Sequence, residues 1–181
     1  SHFLASNAQC RNAATKSLST IVPKMTHLTV PDLSGEAQKM ACKLVDHILH
    51  YRNSENYASQ GSNIFGFVTG GETVVTLGKD ATGHGGRSQE LAVAFAQQMK
   101  LAADSAPPHW AILAGGTDGR DGPTDAAGGL MTSEHDFDVE AAAVALQNHE
   151  SYHFLRENNG LVKTGATGTN LADVALAICS F

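Results

Sequence analysis

The sequence predicts an α/β fold, a three-layer sandwich in which a mostly parallel, mixed sheet carries helices on both faces. Short apolar stretches rich in β-branched residues alternate with stretches whose apolar residues recur at helical spacing. Glycine-rich loops lie between these stretches, as is typical of open sheets that bind ligands beyond their strand ends. The strands on either side of Gly70-Gly71 would give the sheet one antiparallel pair.

The first part of the chain is predicted to contain two strands and two helices. Residues 2–5 form a short strand, and Ser6 and Asn7 can cap a helix that ends near Leu18. Residues 27–30 form the next strand. A second helix follows, because apolar residues recur at helical spacing at Ala37, Met40, Ala41, Leu44, Val45 and Ile48.

A polar stretch without periodicity, residues 52–62, is the best candidate for a boundary. It divides a connecting α/β segment, residues 1–61, from an α/β domain, residues 62–181. The chain starts at Ser1 rather than Met and enters an apolar run at once. A longer parent polypeptide, with a further domain upstream, is therefore expected.

The second part continues the alternation of strands and helices. Predicted strands cover residues 64–69, 72–77, 109–114 and 174–179, and predicted helices cover residues 88–99 and 139–146. A single helical turn is expected around Tyr152 and Phe154.

Composition excludes several classes of partner. The formal net charge is −6 and the basic residues are scattered, which argues against nucleic acid and against an acidic membrane surface. No apolar run approaches the ~20 residues that a transmembrane helix needs. The three cysteines are far apart, which suggests a reducing, cytoplasmic setting.

The most informative stretch is the loop from Gly115 to Gly129, which follows the predicted strand 109–114. It carries Asp118, Asp121 and Asp125 among many glycines. Asp118 and Asp121 are three residues apart, so both could point at one hard cation or one donor group. The alternative is a turn in which the aspartates cap their own backbone amides. The number of glycines and charges favours a functional loop.

A second loop, Gly83 to Gly86, leads into a predicted helix with Arg87 at its mouth. Free amides at a helix start bind anions, and a guanidinium can grip a phosphate or carboxylate with two hydrogen bonds. The alternative is a solvated arginine. Glu72 is either a surface carboxylate or a support for Arg87.

A third loop, Thr164 to Asn170, offers hydroxyl groups, amides and a side-chain amide. Its alternative is a capped turn in which Asn170 starts a short helix through Asp173. Loops of this kind suit phosphoryl transfer, which needs donors, a cation and positioning more than covalent chemistry.

Four motifs together resemble the MOFRL domain, the carboxy-terminal domain of class II glycerate kinases. They are Gly70–Thr73 (GGET), Gly83–Leu91 (GHGGRSQEL), Gly116–Gly128 (GTDGRDGPTDAAG) and Thr164–Asn170 (TGATGTN). They occur in the family's order over about residues 62–181. Two departures are Ser88, where the family usually has asparagine, and residues 79–82, where its loop is shorter or richer in glycine.

The resemblance implies a two-domain kinase with its active site in the cleft between the domains. Such an enzyme phosphorylates D-glycerate to 2-phosphoglycerate with ATP and Mg²⁺. Arg87, Asp118 and Asp121 would be catalytic, with both aspartates serving the metal or the reacting hydroxyl. The substrate and phosphate groups would be bound by Gly85, Gly86, Glu72, Thr124, Thr167, Thr169 and Asn170.

The partners implied are glycerate and the missing amino-terminal domain of the same polypeptide, and a homodimer is left open. Without that domain, the 181-residue chain is expected to be inert. Two other functions stay open: a non-catalytic anion-binding or assembly module, and an oxidoreductase of the hydroxypyruvate reductase type. The oxidoreductase ranks last, because the chain lacks a dinucleotide-binding fingerprint.

Overall fold

The computed structural model describes residues 6–54, 63–78 and 82–180. The helices are α1 (Asn7–Ile21), α2 (Ala37–Arg52), α3 (Arg87–Leu101), α4 (Val139–Gln147) and α5 (Ser151–Glu157), with a 3-10 turn at Ala103–Ser105. The strands are β1 (Thr26–His27), β2 (Ile64–Gly71), β3 (His109–Gly116), β4 (Gly128–Thr132), β5 (Leu161–Val162) and β6 (Asp173–Ser180). The predicted strand over residues 2–5 lies outside the described residues.

The six strands form one mixed sheet in the order β1-β2-β6-β3-β4-β5. The α/β sandwich and the mixed sheet are confirmed, but the expectation of a mostly parallel sheet is wrong. Only β1 pairs with β2 in parallel, and the other four pairings are antiparallel. The reason is that the last strand, β6, inserts between β2 and β3 and runs against both. The β2–α3–β3 crossover thus joins two strands of the same direction that are not neighbours.

Helices cover both faces of the sheet. A Cβ at Gly70 in β2 would meet side chains of α1, so α1 covers that face of the sheet. Gly70 is paired with Val174 of β6, and α1 therefore lies on the half-buried face of β6. The alternate residues Ala175 and Ala177 are fully buried. They face the other layer, in which α3 packs on β3 and β4 and is in turn covered by α2 and α4.

The helix signals at the start of the chain are confirmed. Ser6 accepts a hydrogen bond from the backbone N–H of Gln9, and the Gln9 side chain accepts one from the Ser6 backbone N–H. This reciprocal capping box fixes the start of α1. In α2, all six predicted apolar positions are buried.

Three stretches differ from prediction. Residues 72–77 form no strand but only an isolated bridge between Val74 and Glu36. Gly71, with φ of 140°, turns the chain alongside Leu33, so an antiparallel pair around Gly70-Gly71 does not form. Strand β4 was not predicted, because two of its five residues are glycines. Gly128 lies so close to β3 that a Cβ there would strike the β3 backbone. The expected turn near residue 152 is the full helix α5.

Residues before and after position 61 share one apolar core, because α2 packs on α3 and β1 extends the sheet. Most of the predicted linker, residues 55–62, lies outside the described residues, and the boundary stays a prediction. Within the described ranges, no helix is both long and apolar enough to cross a bilayer.

Candidate active site

A cavity of about 450 Å³ lies where the predicted glycine loop and aspartate loop meet. Its wall contains two guanidinium groups, from Arg87 and Arg120, and three carboxyl groups, from Glu90, Asp118 and Asp121. Arg87 and Asp118 are far apart in sequence, and the fold brings them together by placing the start of α3 beside the loop after β3.

The glycines of the Gly83–Gly86 segment allow loops of the protein to approach one another. A Cβ at Gly83 would meet the carbonyl oxygen of Asn148, and one at Gly85 would meet the hydroxyl of Ser151. A Cβ at Gly86 would meet the carboxyl group of Asp121. Gly85 and Gly86 still line the cavity with their backbone. Their lack of side chains is therefore already explained by packing.

Asp121 occupies the anion-binding position at the start of α3. Its two carboxyl oxygens accept hydrogen bonds from the backbone N–H groups of Ser88 (3.1 Å) and Gln89 (2.7 Å). The residue is only 3% exposed, and burial raises its pKa to about 6, although the two backbone hydrogen bonds act in the opposite direction. Asp121 is therefore not an open carboxylate, because the protein's own amides bind both of its oxygens, and its expected role as a metal ligand stays a prediction.

Arg87 is held by two carboxylates of the chain. Its Nε donates to Asp173 Oδ2 (2.7 Å), its Nη2 to Asp173 Oδ1 (3.2 Å), and its Nη1 to Glu72. The support by Glu72 is the interpretation that the sequence favoured. Three of the five N–H groups of this guanidinium are thus used, which leaves two for a ligand. Asp173, which was not predicted to take part, lies at the start of β6, and burial raises its pKa.

Asp118 and Arg120 also keep hydrogen-bonding groups free for a ligand in the cavity. One oxygen of Asp118 accepts the backbone N–H of Arg120 at 2.9 Å, which is the capped turn considered as an alternative. Its other oxygen is not bonded within the described part of the chain. The guanidinium of Arg120 is exposed and has no ion pair among the described residues. Arg120 is a site residue that sequence reasoning missed.

The magnesium site expected at Asp118 and Asp121 stays a prediction. Among the described residues, no group of three His, Cys, Asp or Glu side chains is arranged to hold a metal ion. Of the two aspartates, Asp118 is the one that keeps an oxygen without a hydrogen-bond partner in the described part of the chain. This fits Mg²⁺ only in its water-rich mode, in which one carboxylate and the phosphates of a substrate hold the ion.

Thr124 supports the site from inside. It is buried and not part of the cavity wall, and its hydroxyl accepts from the Gln89 side chain (2.9 Å) and donates to the Asp121 carbonyl (2.8 Å). Thr124 therefore positions the aspartate loop on α3, and the contact with a ligand expected of it stays a prediction.

The third loop lies on the surface beside the cavity rather than in its wall. Thr167 donates to the carbonyl of Thr117 at 2.6 Å, and Thr169 shares that acceptor at 3.3 Å. Asn170 accepts the backbone N–H of Ala172, so the turn alternative is correct but no helix follows. Instead Asp173 begins strand β6.

One further cluster was not predicted from the sequence. Glu90 on α3 contacts the ring of His149, which follows α4, and also accepts a hydrogen bond from Gln38 on α2. Glu90 and His149 are 59 positions apart, so no local spacing connects them. Both residues line the cavity.

Comparisons with known proteins agree with the earlier resemblance. The model of the MOFRL family matches residues 65–173. A glycerate 2-kinase of Picrophilus torridus is 38% identical over 72% of this chain and 29% of its own length. A relative from Agrobacterium vitis, named "Putative hydroxypyruvate reductase", is 34% identical over 78% of this chain and 32% of its own length. The crystal structure of a glycerate kinase from Thermotoga maritima matches 98% of this chain and 41% of that chain, with a TM-score of 0.77 and 30% identity. The chain spans less than half the length of each of these relatives.

Proposed function

Because the chain belongs to the MOFRL family, we propose that it forms one wall of the active site of an ATP-dependent kinase that converts D-glycerate into 2-phosphoglycerate. The observation that carries this proposal is the shared cavity of Arg87, Asp118 and Arg120. It combines donors for an anion with one open carboxylate, on loops that the family motifs cover.

The charge balance of the cavity assigns different tasks to its two arginines. Arg87 is neutralised by Asp173 and Glu72, so it supplies directional hydrogen bonds more than net charge. Arg120 has no such partner in the described part of the chain and supplies the positive charge that an acidic substrate needs. We assign Arg87 to a phosphate or to the glycerate carboxylate, and Arg120 to the same group of anions.

ATP and Mg²⁺ are the cofactors of this proposal. Asp118 would hold the ion through its open oxygen, and the backbone at Gly85 and Gly86 would face phosphate groups. When bound, Mg²⁺ supplies neutralisation of phosphate charge. The chain's own residues orient the substrate: Arg87 is fixed by two carboxylates, and Asp121 keeps the start of α3 in place beneath it.

The second wall of the cleft is assigned to a region outside this chain. The chain corresponds to 41% of the Thermotoga maritima structure, so more than half of that protein has no counterpart here. The exposed loop with Thr167, Thr169 and Asn170 would face that region and line the cleft with it. The 181-residue chain alone is therefore proposed to be inactive.

A cytoplasmic location is part of the proposal. Cys10, Cys42 and Cys179 are all free, and Cys179 is buried. Free cysteines are typical of proteins that work in reducing compartments.

The competing functions make different predictions. A non-catalytic module would bind glycerate without turnover. An oxidoreductase would need a nicotinamide site, and the glycine loop before α3 lacks the G-x-G-x-x-G order. The decisive assay measures ATP-dependent formation of phosphoglycerate by the product of the complete reading frame that encodes this chain. Binding without turnover, or hydride transfer to hydroxypyruvate, would contradict the kinase proposal.

Removal of Arg120 tests the substrate side of the proposal. Arg120→Ala in the complete protein should raise the KM for D-glycerate about 10- to 100-fold, the typical cost of losing a hydrogen bond to a charged group. Arg156, an exposed arginine of α5 outside the cavity wall, provides the matched control. An unchanged KM in Arg120→Ala, or an equal rise in Arg156→Ala, would show that Arg120 does not bind the substrate.

A further inference from the structure

The cavity wall contains a carboxylate–histidine pair to which the proposed function has given no role. Nδ1 of His149 lies 3.0 Å from Oε2 of Glu90. The other oxygen of Glu90 accepts a hydrogen bond from Nε2 of Gln38 at 2.8 Å, and the same amide also donates to the carbonyl of Leu146. Three helical elements therefore fix the Glu90 carboxylate, which is 5% exposed.

The backbone of His149 is fixed by the end of α4. Its φ is 57°, in the left-handed region in which helices commonly end. Hydrogen bonds that close the end of α4 hold the backbone there, and Gly83 and Gly85 pack directly against its carbonyl group. The position from which the ring reaches Glu90 is therefore fixed.

The pair determines which ring nitrogen of His149 keeps a lone pair. A carboxylate oxygen accepts but cannot donate, so Nδ1 of His149 carries the hydrogen. In the neutral ring, Nε2 is then unprotonated. It has no hydrogen-bond partner among the described residues, and the ring is 20% exposed in the cavity wall. This is the arrangement of a base oriented by a carboxylate.

We propose that His149 is the proton acceptor of the phosphoryl transfer and that Glu90 is its positioning residue. This inference rests on the proposed kinase function. The substrate hydroxyl gives its proton to Nε2 of His149 as its oxygen bonds to the terminal phosphorus of a nucleoside triphosphate. The bond from that phosphorus to the nucleoside diphosphate breaks, and the diphosphate leaves with the electron pair. The Glu90 carboxylate stabilises the imidazolium that forms.

The chain provides a matched control in a second carboxylate–histidine pair. Nδ1 of His153 contacts Glu150 within α5 and its N-terminal flank, so its ring is oriented in the same way. His153 is more exposed than His149 and is not part of the cavity wall. His153 therefore has the same contact with a carboxylate as His149 but lies outside the wall of the proposed active site.

The first test measures which ring nitrogen of His149 carries hydrogen. In ¹⁵N–¹H correlation spectra, His149 should show hydrogen on Nδ1 and none on Nε2, and Glu90→Gln should weaken this preference. Diethyl pyrocarbonate, which modifies unprotonated ring nitrogens, should label both His149 and His153. D-glycerate at about ten times its Kd should slow labelling of His149 about tenfold in the complete protein, with His153 unaffected. Equal behaviour of the two histidines would overturn the proposal.

The second test is kinetic and separates the inference from the proposed function. His149→Asn suits the left-handed backbone, since asparagine tolerates it. It should lower kcat by about 10²- to 10⁴-fold with little change in the KM for glycerate, whereas His153→Asn should leave both constants unchanged. A complete wild-type protein without glycerate kinase activity refutes the proposed function itself. A wild-type protein that is active, with a His149→Asn variant that retains its kcat, refutes only the role of His149.

Discussion

Gly119→Ala is expected to destabilise the chain by about 2–5 kcal/mol and to displace Asp118 with it. Gly119 has a φ of 85°, and a Cβ there would strike the carbonyl oxygen of Gly165. Left-handed backbone costs an L-residue about 1–2 kcal/mol, and overpacking adds about 1–3 kcal/mol. The contact is between two backbones, so no side chain can rotate away to relieve it. Urea unfolding followed by circular dichroism measures the loss.

Gly165→Ala is the matched control because only one of the two costs applies to it. Gly165 also has a positive φ, of 68°, but a Cβ there would meet nothing within 4 Å. Its replacement should cost about 1–2 kcal/mol from the backbone alone. Equal losses in the two variants would mean that the aspartate loop and the Thr164–Asn170 loop are not packed as the structure describes.

Local signals in the sequence were sufficient for the helices. The Ser6–Gln9 capping box and the apolar spacing of α2 act within a few residues, so they can be read without knowledge of the fold. The strands were harder to predict. Residues 72–77 have the composition of a strand, but Val74 and Leu77 are exposed, because Gly71 turns the chain away from β6. Composition reports what could be buried, and the tertiary structure decides what is buried.

The candidate site shows the same division. The motifs identified the loops that converge, and the pairing of Arg87 with Glu72 was anticipated. The partners Asp173 and His149 were missed, because each is brought to α3 by an element more than fifty residues away in the chain. Asp121 was predicted as a ligand for a cation or a donor group, and nothing in its spacing reveals that the amides of α3 bind its carboxylate.

The free energy of unfolding should depend on pH because of Asp121. Burial raises its pKa to about 6, from 3.8 in the unfolded chain. Between these two values the folded state binds more proton than the unfolded state, so the free energy of unfolding falls as pH rises through this window. Above it, both states are ionised and the loss is complete. A shift of this size corresponds to a loss of about 3 kcal/mol between about pH 4 and pH 7.

Asp121→Asn isolates this contribution, because an amide keeps one acceptor for α3 but does not ionise. Other carboxyl groups with shifted pKa values remain in both proteins: burial raises the pKa of Asp173, and a hydrogen bond from Thr76 lowers that of Glu36. Their effects largely cancel when the free energy of the variant is subtracted from that of the wild type at each pH. This difference should fall by about 3 kcal/mol as pH rises. A difference that is flat would mean that the hydrogen bonds from Ser88 and Gln89 offset the effect of burial on the pKa of Asp121, and one that rises would mean that they outweigh it.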